Sequence, residues 1–278
     1  MNINRMKRIR QQAKILWLLS SLSALFFVTP LFAQDTVIFG PSVLQATATR
    51  NLLNGLRIEI LSASQYPRVA MHLLIGAGST LDPMGKAGLA DLTMATLIES
   101  VPDWQGEPSE IGQIMEAGQK FRYEVDWDST HLYVECAPQE VGIYLQSLTR
   151  FVRFSTLSAA KFEEAKKRML SGLSNNPLTA GQLTERKFDS EMFLGNPYSR
   201  PLSGNPTTLK NISYGDVVAF QRKYHLPNVS ILSVVGPVNA DEIRQSAGRY
   251  LGTWIMDEKF PFTFTPPVGN KQPRLIVV

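Results

Sequence analysis

The chain has 278 residues, with 28 Lys and Arg against 24 Asp and Glu, a formal net charge of +4, 44% hydrophobic and 19% charged residues, 19 Gly and 17 Pro. This composition excludes a collagen-like, coiled-coil or wholly disordered chain and leaves room for one large domain or two small ones. The basic excess is local: Arg5, Lys7, Arg8, Arg10 and Lys14 stand in residues 1–33 without any Asp or Glu, and residues 34–278 hold 23 basic against 24 acidic side chains, which argues against a dedicated nucleic-acid binder.

Those five cations precede an apolar run from Ile15 to Val28, and Thr29-Pro-Leu-Phe-Ala33 follows, ending on a small residue. A basic start, a short apolar core and a small residue at the cleavage point are the parts of a secretory signal peptide, here 1–33 with cleavage after Ala33. The alternative is an uncleaved leader serving as an anchor, although the run falls short of the about 20 residues a span needs. No later stretch has transmembrane length, so leader removal leaves no stable membrane span. The expected compartment is the bacterial periplasm, alternatively the exterior. Cys136 is the only cysteine, which forbids an intramolecular disulfide. It lies in an alternating segment and reads as a buried, inert thiol.

Residues 34–49 are a polar lead-in, and Asn54-Gly55 is a hairpin-type turn between short β-prone runs. Residues 68–75 predict a strand, with Val69, Met71, Leu73 and Ile75 on one face and Ala70, His72 and Leu74 on the other. A turn-rich loop over 76–85 leads to a helix over 88–99, and a second helix is expected over 109–117. A strand pair at 120–127 and 130–137 is followed by helices at 139–152, 158–172 and 180–193. The prolines of the polar loop 195–206 stop the last of these. Ser213 with Asp216 opens a helix to about Tyr224 in the manner of a capping box. A strand at 228–235 and a helix at 239–251 follow, and Leu275-Ile-Val-Val278 reads as the start of a strand with no partner, the mark of a truncated chain. The order β-β-α-α-β-β-α-α-α-α-β-α predicts an α+β fold, a largely antiparallel sheet covered by helices.

General motif searches return little. There is no Gly-x-x-x-x-Gly-Lys-Ser/Thr loop and no Gly-x-Ser-x-Gly elbow. His72, His131 and His225 are far apart in sequence, and a lone strand histidine is more often a packed or hydrogen-bonded core residue than a ligand.

A connected series of segments nevertheless resembles one family. Asn54-Gly-Leu-Arg57, the strand 68–75, Gly78-Ser-Thr-Leu-Asp-Pro-Met-Gly85 and Gly88-Leu-Ala90 entering a helix are similar to the pitrilysin/insulinase zinc metallopeptidases. So are Asn196-Pro-Tyr198, Leu202-Ser-Gly204, and Tyr224 to Asn228 leading into Ile231-Leu-Ser-Val-Val-Gly236. The resemblance covers nearly all of residues 50–252, read as a degenerate peptidase N-terminal domain, the first of two homologous halves. Residues 253–278 read as a linker and the start of a second half. It implies a metallopeptidase-like half-subunit domain and a His-x-x-Glu-His motif on the helix after Gly88. Two histidines at i and i+4 bind one zinc ion from one helix face, and the glutamate acts as base on metal-bound water. Aligned with the motif are Asp91 for the first histidine, Met94 for the glutamate and Ala95 for the second histidine. Ser171 or Gly172 stands where a later helix supplies a third ligand, a glutamate.

Of these side chains Asp91 alone offers an oxygen, and one carboxylate does not make a tight zinc site. Glu99, Glu163 and Glu164 are near in sequence and read as solvated helix-face charges. No catalytic, metal or cofactor residue is therefore expected. The resemblance implies a non-catalytic subunit paired with a zinc-bearing insulinase-like partner around a peptide chamber. A structural or peptide-binding scaffold and an active zinc endopeptidase with unorthodox ligands are the other readings. The family's substrate-anchoring Arg/Tyr pair would lie in the second half, outside this sequence.

Overall fold

The computed structural model describes residues 47–100, 117, 120–149, 151–152, 157–175, 178–258 and 275. The signal peptide, all but the last residues of the lead-in, the helix expected over 109–117 save Ala117, and the closing strand save Leu275 lie outside the described residues.

The Asn54 turn joins two antiparallel strands, β1 (Thr47–Asn51) and β2 (Arg57–Ser62), so that with β3 (Val69–Ile75) three strands rather than two precede the first helix. Helix α1 (Leu89–Glu99), the antiparallel pair β4 (Arg122–Val125) and β5 (Thr130–Cys136), and helices α2 (Val141–Thr149), α3 (Ala159–Asn175) and α4 (Ala180–Met192) follow. Then come α5 (Pro206–Lys210), α6 (Tyr214–Tyr224), β6 (Ser230–Gly236) and α7 (Ala240–Leu251). Among the described residues the six strands form one sheet in the order β1-β2-β6-β3-β5-β4, and β2 with β6 is the single parallel pair. The expected α+β architecture with a largely antiparallel sheet is borne out.

Alternation along β3 sets the layers. Val69, Met71, Leu73 and Ile75 are buried, Ala70 is exposed, and His72 and Leu74 are half-buried. Strand residues Ile58, Leu132 and Val234 join Leu92, Leu145, Phe220 and Ile243 of the helices in one core. The period of two that aims one set of side chains at the helices leaves the other set on the opposite face. Helix α5 falls at the end of the stretch read as loop. Asn205 caps it, accepting from the N–H groups of Thr207 and Thr208, and Pro206 occupies a first-turn position where its missing N–H costs nothing.

The start of α1 is fixed by a neighbour in sequence. The buried Asp82 carboxylate accepts the N–H groups of Gly88 at 2.8 Å, Leu89 at 3.2 Å and Ala90 at 2.9 Å. These are orphan donors of a helix N-terminus, where the helix dipole also favours an acceptor. Gly88 has φ 94°, and a Cβ there would lie 2.8 Å from the Ser203 carbonyl oxygen, so the residue before α1 must be glycine to let the 202–204 loop close on it.

His225 ends α6 with its ring buried against Phe220, and neither ring nitrogen has a partner among the described residues. Burial pushes it down to about 4. The unfolded chain takes this proton near the ordinary histidine value and the native chain only near 4, so the stability is whole above that ordinary value and is lost as pH falls below it. From pH 7.5 to pH 5 the loss from this residue is about 2 kcal/mol. Urea unfolding of His225→Leu and the unaltered protein at the two pH values is expected to show the difference between them move by about 2 kcal/mol in the variant's favour on going to pH 5; an unchanged difference would refute this assignment.

Candidate functional site

Asp91, Met94 and Ala95 share one face of α1, as residues three and four apart must. The Asp91 carboxylate accepts hydrogen bonds from the hydroxyls of Ser203 and Tyr123, drawing together α1, the 202–204 loop and β4. Burial raises the Asp91 carboxyl above the usual range, and the two hydroxyls pull it back. Tyr123 is raised too, first by burial and then by the charge of Asp91, so its hydroxyl keeps its proton and serves as donor. Met94 is 0% exposed and Ala95 7% exposed, both within the core. On α3, Ser171 is exposed, and Gly172 has open space where a side chain would extend. Helix α1 packs against α3, α6 and β4.

The glutamates divide. Glu163 and Glu164 are exposed, and Glu164 pairs with Lys161 at 2.7 Å, as expected of solvated charges. Glu99 departs from that expectation: it is half-buried and forms an ion pair with Arg168 of α3, because α1 and α3 pack closely enough to meet there. Glu163 borders a shallow groove along α3 with Lys166, Lys167, Leu170 and Ser171.

Cys136 is fully buried in β5, and burial pushes its thiol up to about 11, which keeps it protonated and unreactive. Two of the histidines that are distant in sequence are neighbours in space. His72 Nε2 and His131 Nδ1 are 2.9 Å apart, and His131 Nε2 is 3.1 Å from Asp126 Oδ2. Neither histidine reaches α1 in any contact described, and among the described residues no three His, Cys, Asp or Glu side chains stand close enough to share a metal ion. A catalytic zinc needs three protein ligands and one open position. The face of α1 supplies one carboxylate, already engaged by two hydroxyls, beside a thioether and a methyl group, and this donor set does not fit zinc.

Strand β4 lies at the edge of the sheet next to α1, with its outer backbone groups unpaired among the described residues. Such an edge accepts an extended peptide as an added strand. Sequence reading missed Tyr123 and Ser203 as partners of Asp91. The available signal was the Ser-Gly pair at 203–204, small residues that permit the loop to approach Gly88.

The sequence pattern of "Insulinase (Peptidase family M16)" matches residues 57–206, more than half of the chain. An "uncharacterized zinc protease" of Rickettsia bellii is 20% identical over 79% of this chain and 53% of its own length. A protease from Helicobacter pylori superposes with a TM-score of 0.71 at 16% identity, over 82% of this chain and 55% of that one. The structure described as a peptidase M16 inactive domain from Pseudomonas fluorescens gives 0.69 at 16% identity, over 80% and 54%. At these identities the superpositions show the fold, a metallopeptidase-type half-subunit. The chain spans about half the length of the curated relatives it matches.

Proposed function

The chain belongs to the insulinase family, peptidase family M16, and from that premise we propose that it is a non-catalytic half-subunit, one wall of a peptide-processing chamber completed by a zinc-bearing member of the same family. The observation that supports this most is the face of α1, where Asp91 is engaged by Tyr123 and Ser203 while Met94 and Ala95 are packed in the core. Hydrolysis needs a metal-bound water and a base beside it, and neither has a side chain to hold it here. What the domain keeps is the sheet edge at β4, suited to hold an extended peptide through main-chain hydrogen bonds. That edge favours a peptide-handling role over a purely structural one. Residues 1–33 would export the protein to the periplasm, and the leader would then be removed.

The isolated protein is expected to cleave no unstructured peptide and to carry far less than one zinc ion per chain, measured by metal analysis beside a fluorogenic peptide assay. Copurification from the envelope is expected to bring down a relative with an intact His-x-x-Glu-His. One zinc per chain, removed by a chelator together with hydrolysis, would sink the reading; a protein that neither binds peptides nor associates with such a relative would support the scaffold instead.

A further inference from the structure

The sheet face opposite the helices carries a group of polar side chains that the proposed function does not use. His131 Nε2 stands 3.1 Å from Asp126 Oδ2 and 2.9 Å from Ser129 Oγ, and its Nδ1 stands 2.9 Å from His72 Nε2. The ring planes are 12° from parallel with centres 5.1 Å apart. A carboxylate only accepts, so the Asp126 contact places a proton on His131 Nε2. Neutral His131 then has a bare Nδ1, which accepts from His72 Nε2–H. The tautomers of both rings follow from this one carboxylate.

We infer that Asp126, His131 and His72 form an acid-sensitive latch that holds the β4–β5 turn, and through it the segment before α1, against the sheet. The chemistry sets when it opens. A first proton gives a His131 imidazolium that donates from Nε2 to Asp126 and from Nδ1 to a His72 ring whose Nε2 is now bare, so every bond survives. A second proton puts N–H against N–H and turns the 2.9 Å contact into repulsion between two cations.

The surroundings favour that order. Facing His131 are Asp126 and, opposite it on β5's other neighbour, Glu124 of β4. Facing His72 are Tyr133 of β5 and Ser233 of β6, neither anionic. Arg122 sits over the Tyr133 ring at 5.9 Å, Glu135 pairs with Arg68, and Glu59, beyond Ser233, pairs with Arg57. Burial and the neighbouring His131 both lower the basicity of His72. The lowered histidine leaves the latch intact above the ordinary histidine value and weakens it as pH falls below.

The turn that the latch holds is where the next segment is tied. The Asp126 carbonyl accepts Ser79 N–H at 3.0 Å and the Trp127 carbonyl accepts Thr80 N–H at 2.8 Å, three and two residues before Asp82. Tyr198 Oη donates to Asp128 in the same turn at 2.6 Å. Amide exchange at Ser79 and Thr80 therefore reads the latch locally, whereas the effect of His225 would appear throughout the fold.

The test follows ring-carbon chemical shifts of the histidines in the intact protein from pH 8 to pH 5, with amide exchange at Ser79 and Thr80 corrected for intrinsic rates. His72 is expected to take up its proton below the ordinary histidine value. Protection at Ser79 and Thr80 should hold above the ordinary histidine value, fall by up to about tenfold per pH unit between that value and the lowered value of His72, and level off below it. In His72→Gln, whose amide donates to His131 Nδ1 without taking a proton, protection should not fall at pH 5. A His72 ring that titrates at the ordinary histidine value in the unaltered protein, or an equal fall in His72→Gln, would overturn the proposal.

Discussion

Replacing Asp82 by alanine is expected to cost about 3 to 4 kcal/mol of stability, each buried N–H left without an acceptor contributing roughly 1 kcal/mol or more. The carboxylate is the acceptor for three successive N–H groups at the start of α1, and Gly88, Leu89 and Ala90 are all buried, so water cannot take its place cheaply. The same residue accepts from Arg200 through its backbone carbonyl at 2.6 Å, a bond that the substitution leaves in place. The loss therefore isolates the carboxylate. Burial pushes this carboxyl up to about 7 against the pull of the three N–H groups and Arg200, so near neutral pH its protonated form is well populated. An amide resembles that form, and Asp82→Asn is expected to retain more than half of what alanine loses. Urea unfolding midpoints of the two variants at pH 7 make the comparison; equal losses would show that the charge, not the acceptor geometry, carries the effect.

Much of the sheet and the helix layer is legible in the chain because local pattern and tertiary burial agree there. In β3 the residues Val69, Met71, Leu73 and Ile75 alternate in sequence and are buried in space, and Ser213 with Asp216 closes the capping box that opens α6. Strand order is another matter. The parallel pairing of β2 with β6 sets Ile58 beside Leu232, and nothing within either strand specifies a partner so remote along the chain. The latch is hidden for the same reason: His72 and His131 meet only through the β3–β5 register, which places Leu74 opposite His131 and Tyr133 opposite His72. Glu99 reads as a solvated charge until α3 brings Arg168 to it. The face of α1 was the most legible part of the candidate site, since spacing three and four apart suffices to put Asp91, Met94 and Ala95 together. What occupies Asp91 depends on the meeting of three segments, and only the fold brings Tyr123 and Ser203 to it.

The corresponding test on that face is Met94→Glu, which places a carboxylate where the family's motif has one. In this chain it is expected to cost about 4 kcal/mol or more, because an ionised carboxylate without a partner in an apolar interior is among the most expensive changes a core accepts. Met94 is 0% exposed and belongs to the core cluster with Leu92, Leu97 and Val217, so the new group is set among apolar side chains away from water. It would escape part of the cost by keeping its proton, and stability would then rise as pH falls through its raised value toward the ordinary carboxylate value. Met94→Leu keeps shape and polarity and should cost less than about 1.5 kcal/mol. The contrast reports on function as well as packing. If the interior has closed over this position, adding His at 91 and 95 beside the glutamate yields an unstable protein that binds zinc weakly and cleaves nothing. Urea unfolding of the single variants, followed by zinc titration of the triple variant, reads both parts. A Met94→Glu protein as stable as the unaltered chain would mean that the position opens on a solvated cleft, and the case for a wall that has lost its metal centre would fail with it.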